Sequence, residues 1–242
     1  MARHGAKRGA SLANHAVIEA HDLSRRYGRR WALARVELQI PAGERFLVVG
    51  ANGSGKTTLL RVLSTAIGHS LGTLRLFGLD PESRDLGSIR SRLALLSHQP
   101  QVYEDLSARE NLDVLFSLMG VTDEAGPYLE KVGLDDRAEP VRSYSAGMRK
   151  RLSFARMLAQ KPQLALIDEP YGQLDPSGFS FVDSLLTELS DMGTTVVVAS
   201  HHVDRARHLC HRAMLLDKGQ CHWVGPSIDI KRAWDAQHGS DA

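Results

Sequence analysis

The chain of 242 residues has only two cysteines, Cys210 and Cys221, and they lack CxxC spacing. That excludes a disulfide scaffold and reads as reduced thiols. An excess of either charge is missing too: 30 Lys and Arg against 28 Asp and Glu leave a formal net charge of +2. With 43% hydrophobic residues, this balance excludes disorder of the whole chain and argues against a dedicated DNA-binding domain. No apolar run approaches the roughly 18 residues needed to span a bilayer. The longest, Phe46–Val49 and Val196–Ala199, are strand-sized. The opening MARHGAKRGASLANHA is basic but has no apolar h-region, so it does not read as a secretory signal. Residues 1–15 read as a flexible, solvated basic tail, and Arg3, Lys7 and Arg8 are a thin basis for membrane-surface binding. Internal repeats and low-complexity segments are absent as well.

What is present, from Val17 onward, is alternation of strand-like and helix-like segments. AVIEAHDLSRRY and ALARVELQI read as an early strand pair, and ERFLVVG as a compact apolar strand. GANGSGKTTLLRVLSTA follows, its glycines giving way to a helical pattern of Leu59, Leu60, Leu63 and Ala66. GTLRLFG reads as another strand, followed by a polar stretch with Pro81 and then RSRLALLSHQ. From Leu106 to about Lys161 the texture becomes helical. ARENLDVLFSLMG places Leu112, Leu115, Phe116 and Met119 on one face, read as core. SAGMRKRLSFARMLAQ starts at Ser145, an expected N-cap, and carries Leu152, Ala155, Met157 and Leu158. After Pro162 come LALID, FSFVDSLLTELSDMG, TTVVVASH, VDRARHLC and RAMLLDKG. Strands alternating with crossover helices predict an α/β fold, a mostly parallel sheet with helices on both faces and a helical insertion.

Chemistry concentrates first in Gly50, Ala51, Asn52, Gly53, Ser54, Gly55, Lys56 and Thr57, with Thr58 following. They spell GxxxxGK[ST] between a strand and a helix, the P-loop pattern. Its glycines let successive N–H groups point at phosphate oxygens, and the helix start adds a positive dipole end. Lys56 then reaches the β- and γ-phosphates, and the Thr57 hydroxyl coordinates Mg²⁺. A second signal is LALIDEP, an apolar strand that puts Asp168 and Glu169 at its C-terminal end, where open α/β sheets bind ligands. Asp168 is placed to hold Mg²⁺, and Glu169 to polarise a water for attack on the γ-phosphate. Together the two motifs indicate ATP or GTP hydrolysis.

RSYSAGMRKRLSFARML, which precedes LALIDEP, resembles the LSGGQ signature of ABC ATPases, and further landmarks of that family follow in order. Tyr27 falls where the family keeps an adenine-stacking aromatic. Gln99 in SHQP resembles the Q-loop glutamine, Asp175 in GQLD the D-loop aspartate and His201 in ASHH the switch histidine. The resemblance covers Val17 to about Gly225. It implies a single ABC nucleotide-binding domain over 16–226, with an N-terminal antiparallel β subdomain, a helical signature subdomain at about 100–161 and a tail at 227–242. It implies ATP and Mg²⁺ as ligands, with Thr57, Gln99 and Asp168 around the metal and Glu169, His201 and Gln99 as catalytic residues. Two such domains, as a homodimer or heterodimer, are expected to close head to tail over two ATP molecules. Tyr144, Ser145, Ala146, Gly147 and Met148 of one chain would meet the P-loop of the other, and Asp175 would bridge them. The signature departs from LSGGQ at Tyr144, Ala146 and Met148. Alanine keeps the backbone N–H, so phosphate contact is expected to survive, while loss of the glutamine weakens the ribose side.

The resemblance also implies an integral membrane permease as partner, docked near QPQVYEDL with Tyr103 and Leu106 lining the groove, and a place on the cytoplasmic face of the cell membrane. SHQPQVYEDLSARENL, the SAG signature and DEPY are similar to export-type subunits, especially those of haem exporters in cytochrome c maturation; drug and polysaccharide exporters share much of this. The alternative is a soluble ABC ATPase such as an iron–sulfur assembly factor. The 11 histidines include HHVD and HLCH, read as polar surface residues rather than a zinc site. The run Arg149, Lys150 and Arg151 is read as a solvated face, and no nucleic-acid partner is expected.

Overall fold

The computed structural model describes residues 16–238 apart from Gln173 and Asp175; the expected N-terminal tail and Asp175 lie outside the described residues. The first sheet is antiparallel, with β1 (Ala16–Tyr27) between β2 (Arg30–Pro41) and β4 (Leu71–Leu76). In β2 the buried Val36, Leu38 and Ile40 alternate with exposed Glu37 and Gln39, the pattern of a sheet with one wet face.

The second sheet has the order β5-β6-β7-β3-β8-β9. Its members are β3 (Arg45–Val49), β5 (Leu93–Leu96), β6 (Leu164–Asp168), β7 (Thr195–Ala199), β8 (Arg212–Asp217) and β9 (Gln220–Pro226). All neighbours pair in parallel except β8 and β9. Strands β6 and β7 are buried along their whole length, which is why they read as continuous apolar runs.

The helices are α1 (Lys56–Leu63), α2 (Leu86–Arg90), α3 (Ala108–Met119), α4 (Ala125–Lys131), α5 (Ala146–Ala159), α6 (Pro176–Asp191), α7 (Val203–Ala206) and α8 (Ile230–His238). Successive residues of β3 feed opposite cores. Phe46 and Val48 pack with α1 and the antiparallel sheet, and Leu47 and Val49 with the helical segment. The P-loop strand is thus clamped from both sides. Among the described residues no helix is long and apolar enough to cross a membrane.

Three local expectations differ from the structure. Met119 is 40% exposed although Leu112, Leu115 and Phe116 are buried. It is the last helical residue before Gly120 turns left-handed at φ 67°, so its face ends there. Ala66 is exposed because α1 stops at Leu63 and Thr65 takes φ 60°. Lys150, read with its arginine neighbours as solvated, is 1% exposed.

Strand β9 and helix α8 are among the elements that carried too little signal to be anticipated. Strand β9 alternates exposed and half-buried residues and joins β8 through Lys218 and Gly219, both with positive φ (45° and 81°), a primed hairpin turn. Helix α8 lies in the expected tail, and its buried Ile230 and half-buried Trp234 pack on the core.

Candidate functional site

In the loop from β3 to α1, Gly50 and Gly55 sit where a Cβ would collide with backbone. A Cβ on Gly50 would lie 2.2 Å from the Leu216 carbonyl oxygen and 2.3 Å from Ser54 Oγ. Gly55 takes φ 112°, and a Cβ there would lie 2.5 Å from the Ala32 carbonyl oxygen. The wrapped loop turns two carbonyls toward Lys56, whose Nζ donates to Gly50 O at 2.8 Å and Ala51 O at 3.3 Å. Lys56 Nζ also lies 3.9 Å from Glu169 Oε1. Burial pulls the Lys56 ammonium below the usual lysine range, while the charges of Glu169 and Asp168 oppose that shift.

Asp168 and Glu169 leave the end of β6 in different directions. The Thr57 hydroxyl donates to Asp168 Oδ2 at 2.8 Å. The other oxygen, Asp168 Oδ1, is buried and accepts no hydrogen bond; Ser54 Oγ beside Gly50 is likewise buried without a partner. Burial raises the Asp168 carboxyl above the usual range, with the Thr57 hydrogen bond working against it. Glu169 adopts φ 50°, and its N–H donates to Ala199 O of the neighbouring strand β7 at 2.8 Å. This turn points its carboxylate along the sheet end, where Oε2 is 2.8 Å from His201 Nδ1.

These groups open into a cleft of about 880 Å³, a size typical of small-ligand sites. Tyr27, Asn52, Gly53, Gly55, Lys56, Thr57, Thr58, Asp168, Glu169 and His201 all line it. Tyr27 sits at the rim, 45% exposed, with the Arg25 guanidinium 4.8 Å over its ring. The wall also includes residues not anticipated from sequence, among them Trp31, His98 and Lys218.

Gln99 is not brought into the cleft. Its carbonyl accepts from Ser97 Oγ at 2.6 Å, and it borders a small separate pocket with Ser153 and Arg156, leaving His98 on the cleft wall. Residues Tyr144 to Met148 also lie off this chain's cleft. Tyr144 is buried, and Ser145 caps α5, its Oγ accepting from the Met148 N–H at 3.2 Å.

Lys150 is a further residue not anticipated from sequence. Its Nζ donates to the Glu169 carbonyl at 3.0 Å, and burial lowers its pKa to about 8. A signal existed: Lys150, Phe154 and Met157 share i, i+4, i+7 spacing, and the latter two are buried.

The sequence matches the ABC transporter family over residues 33–172. The lantibiotic transport ATP-binding protein SrtF of Streptococcus pyogenes is 32% identical over 195 residues, covering 80% of this chain and 83% of the relative. The bacitracin transport ATP-binding protein BcrA of Enterococcus faecalis is 35% identical over 189 residues, 76% of this chain and 61% of the relative. Among solved structures, the dimeric bacterial ABC transporter cassette MJ0796 superposes with a TM-score of 0.78 at 26% identity, covering 87% of this chain and 98% of that one.

Proposed function

Because the chain belongs to the ABC transporter family, as an ATP-binding and ATP-hydrolysing subunit, we propose that it drives an exporter from the cytoplasmic face of the cell membrane, docked on a separate integral membrane permease. The observation that carries the catalytic part is the pairing at the sheet end: Thr57 with Asp168 on one side of the cleft floor, Glu169 with His201 on the other.

Lys56 and the loop amides receive the triphosphate, with Tyr27 at the base end. A buried acidic oxygen with no partner beside a hydroxyl is a hard oxygen donor set, so Thr57 and Asp168 fit Mg²⁺. The ion supplies charge neutralisation on the phosphate oxygens. Glu169 accepts the proton of the attacking water as its oxygen bonds to the γ-phosphorus and the bond to the β-phosphate oxygen breaks, yielding ADP and phosphate. His201 orients the Glu169 carboxylate and donates toward the γ-phosphate. Gln99 joins this shell by rotation of the 97–101 loop.

The first turn of α5 from a second ATP-binding chain, identical or not, completes the site. Ser145 and the amides of Ala146, Gly147 and Met148 face the γ-phosphate, and Asp175 bridges the two chains. The dimeric cassette among the similar structures supports that arrangement.

The relatives' names support a reading of the substrate class. Lantibiotic and bacitracin transport are what their names state, so export of a peptide antibiotic or similar amphiphile is the leading reading. Haem export is the second, carried by the SHQPQVYEDLSARENL and DEPY segments; drug or polysaccharide export is a further variant. The relatives' transport names count against the soluble assembly-factor alternative.

Glu169→Gln tests the catalytic core. Loss of a general base costs about 10²–10⁴-fold in turnover, so the variant is expected to bind ATP and hydrolyse it at least 100-fold more slowly in a phosphate-release assay. Turnover at the wild-type rate would remove Glu169 from the role of base.

A further inference from the structure

We propose that Lys150, on the buried face of α5, is a positioning residue for Glu169, fixing through its hydrogen bond to the Glu169 carbonyl the backbone turn that aims the carboxylate. The inference rests on Glu169 being the base.

An ammonium is expensive to bury unless its protons are used. At 1% exposure, Lys150 would serve stability alone no better than a methionine or leucine of similar volume. What distinguishes a lysine here is its reach: Nζ donates to Glu169 O at 3.0 Å, the charges of Asp168 and Glu169 favour its ammonium, and the Phe154 ring lies 6.0 Å away. The bond therefore falls on the backbone of one residue, and that residue is the one on which the reaction depends.

Glu169 also needs such a bond. A non-glycine residue at φ 50° sits in a sparsely populated region that persists only where the surroundings over-determine it. The N–H side is held by Ala199 O of β7 at 2.8 Å. The C=O side is held by two donors, Lys150 Nζ at 3.0 Å and the Gly172 N–H at 3.2 Å. The longer of these comes from the next turn of the same loop and can move with it. Lys150 is the donor anchored in a different element, a helix of 14 residues whose far face is packed in the core. Without it the Glu169 C=O is left to the longer Gly172 bond of its own loop, and the direction of the carboxylate toward His201 is less firmly set.

The test uses the full-length chain with steady-state ATPase kinetics and, separately, the affinity for a fluorescent ATP analogue. Lys150→Met is expected to lower kcat by about 10- to 100-fold, the scale on which small misplacements of a reacting group act. KM and the analogue's Kd should stay within about twofold, because Lys150 does not itself line the cleft and its hydrogen bond reaches the backbone of Glu169 rather than a phosphate-binding group. Lys150→Arg, which restores an N–H donor to the carbonyl, should recover most of the lost kcat. In a Glu169→Gln background Lys150→Met should cause no further loss of residual turnover, since it acts through the carboxylate already removed.

Three outcomes overturn the proposal: kcat of Lys150→Met within about twofold of wild type, KM and Kd rising as far as kcat falls, or an undiminished loss in the Glu169→Gln background. If Lys150→Met fails to fold, Lys150→Gln carries the same comparison. A Glu169→Gln chain at the wild-type rate removes the base assignment itself. An inactive Glu169→Gln beside an unimpaired Lys150→Met removes only the positioning role.

Discussion

Two carboxylates adjacent in sequence do different work here because one backbone angle separates them. Asp168 ends a strand in ordinary extended geometry, so its side chain falls toward α1 and meets Thr57 at 2.8 Å. Glu169, at φ 50°, swings to the end of β7 and meets His201 at 2.8 Å. Such a backbone state costs on the order of 1–3 kcal/mol, and three hydrogen bonds to the Glu169 peptide groups hold it in place. The opposite wall of the cleft depends on a single hydrogen atom: at Gly50 a methyl group would overlap Leu216 O at 2.2 Å. Both the Leu216 backbone, tied into β8, and the Ser54 turn would have to shift. Gly50→Ala is therefore expected to destabilise the fold by about 1–3 kcal/mol, the range for overpacking, and to abolish ATP binding even in the folded fraction. Urea unfolding monitored by circular dichroism and nucleotide titration check the two parts separately, and a variant with wild-type midpoint and affinity would show that the loop is looser than its geometry.

At the scale of elements, the segment between β5 and α3 is the surface most suited to transmit the state of the cleft outward. It begins beside His98 on the cleft wall, passes Gln99 and reaches Tyr103, which is 50% exposed. It is pinned from below by Asn111 of α3, fully buried, which accepts from the Tyr103 N–H at 2.8 Å and donates to Tyr103 O at 2.9 Å. An exposed ring on a fixed backbone is a suitable contact for a permease helix. Tyr103→Arg is expected to weaken co-purification with the permease at least tenfold in detergent while leaving the ATPase rate of the separated chain unchanged. Equal recovery of the permease with both proteins would move the docking surface elsewhere.

How much could be seen in advance also varied by element. Strands β3 and β6, the P-loop and the Asp168–Glu169 pair were legible because each is a local pattern: an apolar run, a glycine spacing, charges at a strand end. Strand β9 was not, since an edge strand with one wet and one half-covered face carries weak alternation. Nor could the sequence say which of His98 and Gln99 turns to the cleft, because that depends on the Ser97–Gln99 turn. Lys150 was misread for a related reason: charge suggested solvent, whereas its position on the helix face decided the matter.

For the whole molecule, the two halves of the expected phosphate site face different ways. Lys56, Thr57 and Glu169 open into the cleft, while Ser145 to Met148 start a helix that does not line it. One chain cannot close both around a single γ-phosphate without coming apart, since α5 is anchored by Leu152, Phe154 and Leu158 in the core. In the proposed dimer a second chain related by two-fold symmetry would satisfy both halves twice, each cleft taking the α5 start of its partner. This arrangement predicts complementation between two inactive variants. Lys56→Ala removes the cleft's phosphate ligand but keeps the helix start, and Gly147→Glu puts a carboxylate at the helix start but keeps the cleft. Each alone is expected to be inactive. In an equal mixture half the dimers are mixed, and each mixed dimer holds one intact pair of halves, so about a quarter of wild-type turnover should return. Turnover should also rise faster than linearly with protein concentration below the dimer dissociation constant. If size-exclusion chromatography shows mixed dimers and turnover stays at the level of the separate variants, the first turn of α5 does not act across the dimer, and the γ-phosphate must be held by groups of one chain alone.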